Sequence, residues 1–67
     1  MQSAQTFTVI DIDESGQAVV DEFLATHPAA AARRAQFAAE GILLQVWTKG
    51  RLVGAWRRVG RRTFEPA

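Results

Sequence analysis

Cysteine is absent from this 67-residue chain, and histidine occurs once. A disulfide framework, a Cys-ligated zinc or iron-sulfur site and a thiol nucleophile are therefore excluded, and a reducing, cytoplasmic setting is expected. No window approaches the run of about eighteen apolar residues that a membrane span needs, and Met1 to Thr6 lacks the basic segment and apolar stretch of a signal peptide. A single domain over residues 1–67 is expected, folded over 5–62 with flexible ends. That length is close to the lower limit for one apolar core without a staple or a partner subunit. Glycines able to cradle a phosphate are also missing, because Gly50, Gly54 and Gly60 are too widely spaced. The chain contains no helix-turn-helix pair, RNA-recognition signature or zinc finger.

Catalytic chemistry has little to stand on. His27 sits beside Pro28 and reads as a helix cap. Ser3 and Ser15 have no evident base. Asp21 and Glu22 are neighbours on a strand, so they point to opposite faces. A non-catalytic protein without a cofactor is expected.

The charges that are present are sorted along the chain. Residues 1–32 hold Asp11, Asp13, Glu14, Asp21 and Glu22 and no base, a charge of −5; residues 33–67 hold all eight bases against Glu40 and Glu65, a charge of +6. Two readings stay open: acidic and basic strands neutralise each other within one sheet, or a basic face awaits an anionic partner. Seven Arg to one Lys, with twelve Ala, points to a GC-rich bacterial or phage genome.

Thr6 to Ile12 is dense in β-branched and aromatic residues, giving a strand over about 5 to 13. Glu14-Ser15-Gly16 supplies the turn, and a second strand follows over 17 to 25. Pairing across that turn sets Ile12 opposite Ala18, Ile10 opposite Val20 and Phe7 opposite Phe23. This register offers Ile10, Ile12, Ala18 and Val20 as a core stripe. Thr26 or His27 caps a helix that starts at Pro28, runs through Glu40 and ends at Gly41. Its apolar face is Ala31, Ala35, Ala38 and Ile42, with Phe37 supplying bulk. Arg34 lies near that stripe, where its stem covers the helix-sheet boundary. Strands over 42 to 48 and 51 to 59 are joined by Lys49-Gly50, which sets Leu44 opposite Ala55 and Val46 opposite Val53. The fold class expected is α+β, in the order β-β-α-β-β, an antiparallel sheet with one helix on one face. The tail from Thr63 to Ala67 is expected to fray.

In that register Leu43, Trp47, Leu52, Trp56 and Arg58 share the face the helix leaves open, while Arg57 points to the core side. Monomers seldom leave such a cluster in water. Its cover would be a second copy of the chain, another protein, nucleic acid or the chain's own tail through Phe64. Protein binding or self-association through these five residues is the first expectation. Nucleic-acid binding through Lys49, Arg51, Arg57, Arg58, Arg61 and Arg62, with tryptophan stacking on bases, is the alternative.

A third pattern lies in Asp11-Ile12-Asp13-Glu14-Ser15-Gly16 with Glu22. Oxygen ligands at loop positions 1, 3 and 5, glycine at 6 and an acid at 12 resemble the EF-hand calcium loop, with Phe7 to Leu24 as the matching stretch. The resemblance implies calcium on Asp11, Asp13, Ser15 and Glu22. The sequence departs from the family at Ala18, where a larger apolar residue is usual, in the poor helix former Thr6 to Ile10, and at Pro28, which interrupts the exiting helix. No second loop is present.

Overall fold

The computed structural model describes residues 3–67, so Met1 and Gln2, part of the end expected to be flexible, lie outside the described residues. Its elements are β1 (Gln5–Ile12), β2 (Ala18–Ala25), α1 (Pro28–Ala38), β3 (Leu43–Thr48), β4 (Arg51–Gly60) and β5 (Thr63–Pro66). The strands form one antiparallel sheet in the order β2-β1-β3-β4-β5, and α1 packs across one face against β2, β3 and β4. The β-β-α-β-β order stands, with a fifth strand added.

Local chemistry builds the first hairpin. The Asp13 carboxylate accepts the Ser15 N–H (2.9 Å), the Ser15 hydroxyl (2.6 Å) and the Gln17 N–H (3.0 Å), while Gly16 takes a left-handed φ of 87°. The pairing is the one the turn dictates: Ile12 opposite Ala18, Ile10 opposite Val20, Phe7 opposite Phe23. The face is the opposite of the one expected. Phe7 and Val9 are buried under the helix with Ala31, Ala35, Leu44 and Val46, so Ile10, Ile12, Ala18 and Val20 line the other side. Both faces of β1 carry large apolar residues, and the aromatic pair decides: Phe7 stacks on Phe23 with ring centroids 6.5 Å apart.

α1 starts where Pro28 allows, and the His27 Nδ1 accepts the Ala30 N–H at 3.2 Å. It stops at Ala38, two residues early, because Ala39 is extended and the N–H groups of Glu40 and Gly41 turn to the Asp11 carboxylate (2.9 and 2.8 Å). Gly41 serves close approach, since a Cβ there would sit 2.3 Å from the Ile12 carbonyl oxygen. Phe37 does not fill the core. It is 85% exposed, because it lies roughly 200° around the helix from Ala35, at 100° per residue.

Lys49 (φ 53°) and Gly50 (φ 74°) make the two-residue turn between β3 and β4. Trp47 pairs with Leu52 as expected, but a bulge then shifts the register, so that Val46 faces Gly54 and Leu44 faces Trp56. One extra residue reverses every side chain beyond it. Trp56 therefore packs against the core on the helix side, with its indole folded over Gly54, where a Cβ would meet the ring at 2.6 Å. The two tryptophans occupy opposite faces. β5, in the tail expected to fray, pairs Phe64 with Arg58, Glu65 with Arg57 and Pro66 with Trp56, and Phe64 packs against the core. Pro66, which cannot donate to a ladder, sits on an edge strand.

Candidate functional site

The face without a helix is built from alternate residues of each strand. Cross-strand pairing places Leu24, Thr6, Glu22, Thr8, Trp47 and Leu52 toward one end, Val20, Ile10, Gln45 and Ala55 in the middle, and Ile12, Leu43, Arg57 and Glu65 toward the other. Leu24 and Val20 are each 62% exposed, Leu52 50% and Leu43 38%. The Trp47 indole N–H donates to the Gln45 Oε1 at 3.0 Å, which satisfies its polar atom within the face and fixes the ring. Charge is confined to the margins: Glu22 stands on the β2 side, and Arg57 is ion-paired with Glu65 on the β4–β5 side.

Leu43, Trp47 and Leu52 share the open face as expected, and Ile10, Val20 and Leu24 lie on it with them. Alternation alone could not identify these three, because β1 is apolar on both faces. Trp56 and Arg58 do not belong to the set. The bulge carries both to the helix side, and it brings Arg57, expected toward the core, to the open face.

Arg58 acts as a hub. Its Nε–H donates to the Gly41 carbonyl (2.8 Å), one terminal nitrogen to the Ala39 carbonyl (2.7 Å) and the other to the Arg61 carbonyl. Its guanidinium lies 4.6 Å above the Phe64 ring. These bonds tie the exit of α1 to the β4–β5 turn and leave Arg58 engaged in holding the fold. Of the other basic residues, Arg57 is ion-paired, while Lys49, Arg51, Arg61 and Arg62 are exposed.

The strand order settles where the sorted charges lie. β3 separates β1 from β4, so the acidic hairpin and the basic strands occupy opposite sides of the sheet instead of neutralising each other as neighbours. Asp13, Glu14, Asp21 and Glu22 mark one edge; Lys49, Arg51, Arg57, Arg61 and Arg62 mark the other.

The residues of the calcium pattern are not brought together. Strands stand where that family has helices. Asp11 faces the helix side and caps the Glu40 and Gly41 N–H groups, and Glu22, paired with Thr8, is on the open face. Asp13 and Ser15 bond each other in the turn, where the Ser15 hydroxyl, followed by the Gln17 N–H, holds the Asp13 carboxyl below its ordinary 3.8. Among the described residues no group of three or more His, Asp or Glu is arranged to hold a metal ion. A groove of about 690 Å³ between α1 and the β1–β2 hairpin has Asp21, Val19 and Glu40 on its walls, with Arg34 stacked over Phe23 at 4.4 Å.

Among the described residues, no helix is long and apolar enough to cross a membrane. Compared with protein-family models, curated proteins and solved structures, the chain matches none.

Proposed function

We propose that this domain is a non-catalytic protein-binding module that docks through the open sheet face, with Trp47 and Leu52 toward one end, Leu43 toward the other, and Ile10, Val20 and Leu24 extending it across β1 and β2. The observation that supports this reading is an apolar face whose charges, among the described residues, lie only at its margins and which no described element covers. A fully buried Leu, Val or Ile side chain contributes about 1.5 to 3 kcal/mol, so covering several that are half exposed offers several kcal/mol. Trp47, already held by Gln45, loses little rotamer freedom on docking, and tryptophan is a favoured hot-spot residue.

The test compares wild type with a variant carrying both Leu43→Lys and Leu52→Lys. Wild type should bind a protein partner, including itself, with an affinity that the double variant lowers at least about a hundredfold. Equal binding by both proteins would refute the reading.

A second reading, binding of nucleic acid, is favoured by one observation: the exposed bases Lys49, Arg51, Arg61 and Arg62 lie on one side of the sheet, at the two ends of β4, and Arg61 and Arg62 line a groove of about 440 Å³ with Phe37 and Glu40. Arg58 drops out of that set because its donors serve backbone carbonyls. Fluorescence anisotropy of labelled DNA should show affinity falling with salt at a log-log slope of roughly 3 to 4, as about four neutralised phosphates give. An affinity unchanged by charge reversal at Arg61 and Arg62 would end this reading.

A further inference from the structure

We infer that the occupant of the open face is a second copy of this chain, packed face to face about a two-fold axis that runs along the strands. The inference rests on the protein-binding reading and names its partner. Surface area gives the first argument. The chain exposes 4938 Å², whereas a monomeric globular protein of its 7.4 kDa exposes about 4,200 Å². The excess of about 700 Å² is close to the roughly 800 Å² that each partner buries in a standard stable interface. The molecule is elongated, 40 × 20 × 17 Å, and two sheet faces pack about 10 Å apart.

The core gives the second argument. Among the described residues the buried hydrophobic core is only Phe7, Val9, Ala31, Ala35, Leu44 and Val46. A domain this small with no disulfide commonly gains its remaining stability by oligomerising. Among the described residues the centre of the open face, Val20, Ile10, Gln45 and Ala55, carries no charge, so it can meet its own copy without like charges colliding.

Charge then selects the symmetry. A two-fold axis across the strands would lay β2 on β2 and the basic edge on the basic edge. An axis along the strands lays the acidic β2 edge of one copy over the basic β4–β5 edge of the other, at both ends of the interface at once. Trp47 and Leu43, on the central strand, then lie near the axis.

Sedimentation velocity of wild type from about 1 to about 300 μM provides the test. The expected result is a species of twice 7.4 kDa whose Kd rises with salt and rises at least about a hundredfold in the Leu43→Lys, Leu52→Lys variant. Glu22→Lys, an exposed edge change that leaves folding intact, should raise Kd about threefold to tenfold even if the double variant fails to fold. A dimer that tightens with salt would overturn the proposed axis. A monomer over the whole range would overturn the second copy as occupant. If that monomer binds a hydrophobic dye that the double variant does not, the protein-binding reading survives with a different partner. A dimer indifferent to the double variant and to Glu22→Lys, with no dye bound, would remove both.

Discussion

Replacing Arg58 with lysine keeps the charge and removes the fork. The guanidinium donates to the carbonyls of Ala39 (2.7 Å), Gly41 (2.8 Å) and Arg61 and lies over Phe64. A lysine ammonium, a point donor on a flexible stem, can satisfy one of these partners but not carbonyls on both sides of the fork. Each partly buried, charge-assisted bond contributes on the order of 1 kcal/mol here, toward the low end for charged donors, and the contact with the ring about 0.5 to 1 kcal/mol. Arg58→Ala should therefore cost about 2 to 4 kcal/mol and Arg58→Lys about 1 to 2 kcal/mol. Against a total of roughly 3 to 10 kcal/mol for a domain of this length, either loss is large. Urea unfolding at fixed protein concentration, followed by tryptophan fluorescence, should show the midpoint falling with an unchanged slope. Thermal midpoints should drop by about 5 to 15 °C for lysine and further for alanine. A lysine variant within about 0.3 kcal/mol of wild type would refute the hub, because it would show that charge alone suffices at this position.

Four further outcomes follow from the same packing. Gly41→Ala places a Cβ 2.3 Å from the Ile12 carbonyl oxygen and 2.4 Å from the Asp11 Oδ1, and should cost about 2 to 3 kcal/mol by urea unfolding, as overpacking against backbone does. Trp56→Ala should destabilise by about 2 to 4 kcal/mol, whereas Trp47→Ala in dilute protein should cost under about 1 kcal/mol; equal losses would contradict their placement on opposite faces. Phe37→Ser should leave the thermal midpoint unchanged to within about 0.5 kcal/mol of stability. The Asp13 carboxyl is held below 3.8 in the folded state, so its contribution is present above that value and is lost as pH falls through the folded one. A carbon-detected NMR titration should give a midpoint below 3.8, and Ser15→Ala should move it upward; a wild-type midpoint at or above 3.8 would exclude the Ser15 and Gln17 bonds as its cause.

The legible parts of this protein were those written in adjacent residues. Asp13 to Gly16 determined the first turn and, through it, the pairing of β1 with β2. His27-Pro28 determined where the helix begins, and Lys49-Gly50 the second turn. Each of these rests on the dihedral or hydrogen-bonding chemistry of a few neighbouring side chains, which needs no knowledge of the rest of the chain. Packing decided the remainder. Which face of β1 goes inward depended on Phe7 finding Phe23 beneath an alanine helix, a choice that an apolar stretch on both faces leaves open. The bulge before Gly54 depended on the space Trp56 gains over a residue with no Cβ, and it moved Trp56 and Arg58 out of the candidate site and Arg57 into it. β5 exists because Phe64 has a core edge and a guanidinium to cover. The strand order, with β3 between β1 and β4, turned a charge imbalance along the chain into one across the sheet. Periodicity within a strand records which residues share a face, but the choice between faces belongs to whatever packs against the sheet, and that is set by residues distant in sequence.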